Sequence, residues 1–420
     1  MRKLLVILIL FPSCISPYDF RPDDSPGYLV VEGYVSNKAG DSEIRLSRSG
    51  LFQVNVYDQV SDAVVVVIEN ETIEHPWVYH GDGLYKPEQE DFFAKKESTY
   101  YLRIIQAGQV YESEPVHLPN SLDIENLSFE SVAFNQDGDP VENPRLNLHI
   151  TTSNDEDASR YYMYTFEETW LNWARYSLDK IVEPIFIYHG YEIKNIEFET
   201  TYYDNITYCW PSNKVVGINI QTSEGLSSNQ FLNLPIFSFS LESPKLLYTY
   251  SVLVNQYAIS REVHHFFNML KEFSENAGYL YDIQPGFIEG NIYNTNNPEE
   301  FVIGVFYAAN HSSSRKYKFF SDLSREEKYI VLRHKPKCKF IQYTYPNITA
   351  DSLLPDEDLN NALLYLRDSL IIDQGLYILD NYFLEGLGPV VDLTNGQCIS
   401  CLGSGTNEKP SWWDVPLPIE

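Results

Sequence analysis

With 420 residues, the chain is longer than a single hydrophobic core usually serves, and its length predicts two domains. Hydrophobic residues make up 44% and aromatic residues 15% of the sequence, which excludes an intrinsically disordered protein. The formal net charge is −29, and such a field repels both nucleic-acid phosphates and anionic lipid surfaces. We therefore expect no nucleic-acid partner and no attachment to a membrane by charge.

The N-terminal segment has the organisation of a secretion signal that ends in a cysteine. Two basic residues precede the apolar run Leu4–Phe11, and Cys14 follows shortly after it. The run is too short to cross a hydrocarbon core, which needs about 20 apolar residues. We predict a lipoprotein signal peptide over residues 1–13 and an acylated Cys14 that anchors the protein in a membrane. The alternative is an ordinary cleaved signal with a coincidental cysteine.

The anchor is followed by a tether and then by a strand-rich domain. Residues 14–27 contain three prolines and no periodicity, which predicts a linker. From Tyr28 to Pro119, short β-branched and aromatic runs recur about every ten residues and are separated by glycine turns. This spacing predicts an immunoglobulin-like or prealbumin-like β-sandwich over residues 28–119.

Residues 120–420 are predicted to form a larger β-rich domain. Apolar and polar residues alternate in Arg145–Thr151, which is typical of a half-exposed strand, and Tyr161–Thr169 is a long aromatic strand. Residues 170–208 show no clear period and are interpreted as an irregular, aromatic segment. The tail after Pro389 is predicted to be loop-like.

One or two helices are expected in the second domain. A helix near residues 260–276 is predicted because Ser260 is a good N-cap and apolar residues then recur at helical spacing. A second helix is predicted from Asp358 to Leu370, where four leucines share one face. The mature chain is thus mainly β, with helices confined to its larger domain.

Several short stretches together resemble one uncharacterised lipoprotein family of Bacteroidota, domain of unknown function 4249. They include the strand Leu29–Tyr34, the pair Cys209–Trp210, the segment Tyr248–Ser260 and the C-x-x-C tail as far as Trp413. The resemblance implies a secreted, lipid-anchored, two-domain protein whose gene neighbours are commonly TonB-dependent outer-membrane receptors. The resemblance identifies no catalytic residue in this chain, because no activity is established for the family.

Four cysteines follow Cys14, and an exported chain permits them to form disulfides. They are Cys209, Cys338, Cys398 and Cys401. Three pairings are open, of which we favour a local Cys398–Cys401 bridge and a long-range Cys209–Cys338 bridge. A zinc site needs a second ligand pair, and a redox motif needs a helix N-terminus in a βαβ setting. The sequence supplies neither, so we predict no metal and no cofactor.

Aromatic clusters are the candidate recognition residues, because exposed aromatic rings stack on sugars or fill a partner's pockets. Successive strand residues point to opposite faces, so about half of them should face a core. The candidates for a glycan or peptide ligand are Tyr161, Tyr162, Trp170, Trp173, Tyr202 and Tyr203.

These features predict a non-enzymatic lipoprotein of the outer membrane, exposed at the cell surface. Its expected role is that of a binding or accessory subunit beside a TonB-dependent receptor. A surface hydrolase acting on glycan or peptide and a purely structural envelope protein are the alternatives.

Replacing Cys14 with alanine removes the thiol that would be acylated. We expect Cys14→Ala to be soluble or mis-sorted, and Ser13→Ala to stay in the membrane fraction. Cell fractionation followed by immunoblotting measures both distributions. Unchanged membrane retention of Cys14→Ala would contradict the anchor.

Overall fold

The computed structural model describes residues 27–49, 58–135, 140–177, 179–276, 288, 290–345, 356–384, 388–403 and 405–417. Cys14, the signal peptide and nearly all of the tether therefore lie outside the described residues. The chain divides into two compact units. Unit 1 takes Met1–Leu118 and Phe273–Ala308, and unit 2 takes Pro119–Glu272 and Ala309–Glu420. Residues 273–308, which the sequence division had placed in the second domain, thus belong to the first unit.

Unit 1 is built from antiparallel strands, and the strand Ile303–Phe319, labelled β22, begins in it. The other strands are β1 (Leu29–Ser36), β2 (Glu43–Arg48), β3 (Asp58–Gln59), β4 (Val64–Glu69), β5 (Ile73–Tyr79), β6 (Leu84–Pro87), β7 (Thr99–Gln106), β8 (Gln109–Ser113), β9 (Val116–His117) and β21 (Ile292–Asn294).

The core of unit 1 follows from period-two burial along these strands. In β7, Tyr100, Leu102 and Ile104 are fully buried while their neighbours are not. The register places Val65 of β4 opposite Ile104, so apolar side chains from paired strands meet on one face. The sequence of strand β5 shows no period-two alternation, because Trp77 is its one buried side chain.

Unit 2 holds the remaining strands. They are β10 (Ile124–Phe134), β11 (Pro140–Thr152), β12 (Tyr161–Trp170), β13 (Asn172–Trp173), β14 (Lys180–His189), β15 (Glu192–Tyr202), β16 (Tyr208–Cys209), β17 (Ser212–Lys214), β18 (Asn219–Thr222), β19 (Leu234–Ser240), β20 (Thr249–Ile259), β23 (Phe340–Thr344), β24 (Leu376–Leu384) and β25 (Gly388–Asn395).

The described helices are fewer than the strands. They are α1 (Arg261–Asn276), α2 (Arg325–Arg333), α3 (Asp356–Leu364), α4 (Gly396–Ile399), two 3-10 turns (Pro244–Leu246 and Phe320–Asp322) and a π-helical segment (Tyr365–Asp373). Within the described residues, no helix has both the length and the apolar character needed to cross a bilayer. The prediction of a mainly β fold is confirmed, although α2 and α4 exceed the one or two helices expected.

A two-sheet core dominates unit 2. The sheet β10-β11-β19 packs its apolar face against β12 and β20, which pair with each other over their full length. Stacked rings join the two layers, with Phe166 of β12 4.8 Å from Phe237 of β19. Strand β20 is buried along almost its whole length, as expected for a central strand covered on both faces.

Helix α1 begins where the sequence predicts it. The Ser260 hydroxyl accepts a hydrogen bond from the Val263 backbone N–H at 3.3 Å, and Val263, Phe266 and Phe267 are buried. The N-cap and the helical spacing of apolar residues therefore act together, because the cap satisfies a backbone donor and the stripe packs inward.

The prediction of an irregular segment over residues 170–208 is wrong. Strands β14 and β15 form a hairpin there, turning at Gly190 with φ of +65°. The pattern was obscured because both faces of β14 carry apolar side chains, and Ile185 remains 46% exposed. The hairpin belongs to the five-stranded sheet β15-β14-β24-β25-β23.

Helix α3 and the π-helical segment cover one face of this sheet. Leu359, Leu363, Leu366 and Leu370, the leucines behind the second predicted helix, are all buried. They pack in one cluster with strand residues such as Val182 and Val391. The predicted helix is confirmed, and its leucine stripe is the covering surface.

Removing part of Leu363 should leave a cavity beneath this helix. We expect Leu363→Ala to lower the free energy of unfolding by about 2–5 kcal/mol. Ile372→Ala, at a position 65% exposed on the π-helical segment, should change it by less than about 0.5 kcal/mol. Urea unfolding measures both variants, and equal losses would contradict the packing described.

Candidate functional site

The C-x-x-C segment is the centre of two long-range disulfides. Cys401 is bonded to Cys209, 192 residues away in sequence, and Cys398 is bonded to Cys338, 60 residues away. The favoured pairing of Cys398 with Cys401 and of Cys209 with Cys338 is therefore wrong. Cys398 lies within helix α4 and Cys401 follows it, so the two side chains reach different neighbours.

Backbone and amide hydrogen bonds continue the attachment of the tail beyond the disulfides. The Trp210 N–H donates to the Thr406 carbonyl at 2.8 Å. Asn205 and Asn407 each donate from the side-chain amide to the other's backbone carbonyl, at 3.2 and 2.6 Å. The tail is thus attached to residues 205–210 through Thr406 and Asn407.

The attached tail brings Trp413 into an apolar cluster. Trp413 is 2% exposed and meets Trp210 and Tyr317 edge to face, with ring centroids 6.4 and 5.8 Å apart. Such contacts add about 0.5–1.5 kcal/mol each beyond burial. Val415 joins the same cluster, so the last described residues are held against the sheet.

An open cavity of about 490 Å³ lies beside this cluster. Its volume falls within the range of about 300–1,000 Å³ that is typical of small-molecule sites. Four chain segments supply its walls: the start of β20, the end of β22 with the 3-10 turn, the end of α2, and the tail. The lining residues are Leu247, Tyr248, Thr249, Phe319, Phe320, Ser321, Leu332, Lys335, Val415, Pro416 and Leu417.

Helix α2 positions one wall of the cavity through a capping box. The Ser324 hydroxyl accepts from the Glu327 N–H at 3.1 Å, and the Glu327 carboxylate accepts from the Ser324 N–H at 2.7 Å. Val331 is fully buried in the unit 2 core, which fixes the face of the helix that carries Leu332. The S-x-x-E signature at Ser324 could have revealed this helix from sequence.

One part of the cavity wall is positively charged, because it contains Lys335. Burial lowers the pKa of Lys335 from its ordinary 10.5, and the nearby Arg175 guanidinium lowers it further. Burial raises the pKa of Tyr248, while Arg175 acts on the same hydroxyl in the opposite direction. Lys335 is thus the charged residue of an otherwise mostly apolar wall, and Arg175, which does not line the cavity, acts electrostatically on both side chains.

One of the predicted recognition aromatics reaches this site. Trp173 of β13 packs edge to face on Tyr248, with ring centroids 5.6 Å apart, and stacks on Tyr208. Trp173 therefore packs against Tyr248, which lines the cavity, and does not itself line the cavity.

The three candidate aromatics of β12 do not line the cavity. Tyr162 is fully buried, and its hydroxyl accepts a hydrogen bond from the Leu122 N–H at 3.0 Å, so its proposed role in ligand binding is wrong. Trp170 lies beneath the Lys245 ammonium, 4.9 Å from the ring centroid. Tyr161 is half-buried against His264 of α1.

Tyr202 and Tyr203 lie at the end of the β14–β15 hairpin, away from the residues that line the cavity. Tyr202 is 76% exposed, and Tyr203 is 37% exposed. The exposure predicted for this pair is present, but the structure does not bring them together with the other candidates. Among the described residues, no cluster of His, Cys, Asp or Glu could hold a metal ion.

The fold and the cavity define an antiparallel β protein whose disulfide-attached tail forms part of a cavity of small-molecule size. The chain belongs to the family described as Domain of unknown function (DUF4249), which matches residues 15–315, well over half of the sequence. The match ends within β22, so α2, the C-x-x-C segment and the tail lie beyond it. No curated protein matches the chain.

Peptide mapping under non-reducing conditions should recover the Cys209–Cys401 and Cys338–Cys398 linked peptides. The double variant Cys209→Ser/Cys401→Ser should lose about 2–5 kcal/mol in free energy of unfolding, because the unfolded chain regains the entropy of a long open loop. Cys338→Ser/Cys398→Ser should lose a similar amount, since the entropy depends only on the logarithm of loop length. Recovery of a Cys398–Cys401 peptide would overturn the pairing.

Proposed function

We propose that the protein is a non-enzymatic, lipid-anchored binding subunit of the outer membrane that serves a TonB-dependent receptor. The observation that carries the proposal is the open cavity of about 490 Å³ whose tail wall is held by two disulfides. A fixed concave wall is suited to holding a ligand because its side chains are ordered before the ligand arrives.

The disulfides support export. Both are long-range, and three of their four cysteines, Cys209, Cys398 and Cys401, are buried. Such bonds persist in oxidising compartments such as the cell envelope and are rare in the cytosol. The predicted acylation of Cys14 supplies the anchor, since the chain's charge of −29 gives no attraction to anionic lipid.

The chemistry of the cavity supports binding. Most of its lining side chains are apolar or aromatic, and they supply contact area, while Lys335 and the Tyr248 hydroxyl supply the few directional polar contacts that orient a ligand. This arrangement provides affinity and orientation for a small ligand, which a receptor-associated subunit requires.

A pull-down tests the partnership. The full-length protein, carrying a C-terminal tag, is captured from solubilised outer membranes, and we expect a TonB-dependent receptor to be recovered with it. Cys14→Ala, which should not reach the outer membrane, is the matched control and should recover much less receptor. Absence of any receptor from the wild-type capture would contradict the proposed partnership.

A further inference from the structure

The wall of the cavity is suited to an apolar body. Three aromatic rings, Tyr248, Phe319 and Phe320, face it together with Leu332 and the tail residues Val415–Leu417. Leu332 is 49% exposed, so apolar surface that could be covered by a ligand is left in water. Covering such surface contributes roughly 25 cal/mol per Å².

Lys335 differs from other lysines of unit 2 in its ion pairing. Within the part of the chain that the structure describes, no carboxylate oxygen lies within 4.0 Å of its ammonium. Other cations of unit 2 are paired, such as Lys180 with Asp380 at 2.9 Å. The described carboxylates therefore leave the Lys335 ammonium available to an anion.

Several carboxylates lie near residues of the cavity wall, and each has a partner. Asp414, which precedes Val415, interacts with the Tyr317 hydroxyl. Asp322 accepts hydrogen bonds from the Phe319 N–H at 3.2 Å and from the Ser321 hydroxyl at 3.3 Å. Glu242 lies 3.6 Å from the His334 ring nitrogen. None of these carboxylates reaches Lys335, so none of them cancels its charge.

Resting on the proposed binding function, we propose that the cavity takes a free, soluble amphiphile with one anionic group, such as a carboxylate. Its apolar body lies on the wall formed by Tyr248, Phe320 and Leu332, and its anionic group meets the Lys335 ammonium. The net charge of −29 opposes docking of this part of the wall on an anionic bilayer, which favours a free ligand over a membrane lipid.

The perturbed amine agrees with this geometry. Burial lowers the pKa of the Lys335 amine and the Arg175 charge lowers it further, and an incoming anion relieves the repulsion that contributes to this lowering. A carboxylate bonded to such a group forms a charge-assisted hydrogen bond, which is roughly twice as strong as a neutral one.

Three probes with the same ten-carbon chain separate charge from apolar contact: decanoate, 1-decanol and decyltrimethylammonium. Each is titrated calorimetrically into the full-length Cys14→Ala chain at pH 7, the two ions below their critical micelle concentrations and decanol below its solubility limit. We expect decanoate to bind about tenfold more tightly than decanol, and the cation to bind more weakly than decanol.

Variants assign the two parts of the cavity. Lys335→Gln should weaken decanoate about tenfold and leave decanol unchanged, and Lys335→Arg should restore the preference. Leu332→Ala should weaken decanoate and decanol alike, by about three- to tenfold. Arg333→Gln removes the same charge from an exposed position at the end of α2 that does not line the cavity, and it should bind like the parent.

Equal affinity for decanoate and decanol, or a preference that survives Lys335→Gln, would overturn the ligand class. Flotation of the chain with phosphatidylglycerol vesicles, dependent on Lys335, would overturn the free ligand in favour of a lipid. If a receptor is recovered but decanoate does not bind, the proposed ligand class is contradicted and the partnership stands. If decanoate binds through Lys335 but no receptor is recovered, the partnership is contradicted and the ligand class stands.

Discussion

The two disulfides that leave the C-x-x-C segment determine where the tail of unit 2 lies. One holds the segment to β16 through Cys209, and the other holds it to the stretch after α2 through Cys338. Both bonds close long loops, which removes conformational freedom mainly from the unfolded chain. The cavity depends on this constraint, because Val415–Leu417 form one of its walls and reach it only after the attachment at Cys401 and Thr406.

Strand β20 is the second constraint, since it connects the core of unit 2 to the cavity. Its centre is buried between β12 and β22, and its first residue, Thr249, pairs with Phe319 at the cavity edge. Close by, the buried Glu168 carboxylate accepts hydrogen bonds from Tyr250 at 2.9 Å and from Asn213 at 3.0 Å. A carboxylate that is 2% exposed is tolerated because its oxygens are satisfied.

Local patterns predicted most of the regular structure and little of the site. Period-two burial and helical leucine spacing depend on nearby residues, and β7, α1 and α3 follow them closely. The hairpin β14–β15 was missed because apolar residues on both faces hide the alternation. The pairing of Cys398 with Cys401 failed because proximity in sequence does not decide which cysteine each side chain faces. The cavity draws on segments from Leu247 to Leu417, which only tertiary contacts bring together.

Two lysines of unit 2 have the same chemistry but different surroundings. The structure, and not the composition, shows which lysine is paired within the protein and which one lines the cavity. Lys245 lies 2.7 Å from the Glu168 carboxylate and over the Trp170 ring, so its charge is already paired within the protein. The sequence offers Trp170 as a ligand contact, and in the structure its ring packs against this ammonium. Lys335 lines the cavity, and burial and the Arg175 charge both lower its pKa, so an incoming anion would relieve part of this unfavourable environment. An acidic chain can therefore select an anionic ligand at one place, because selectivity depends on the few charges that line the cavity and not on the sum over the surface.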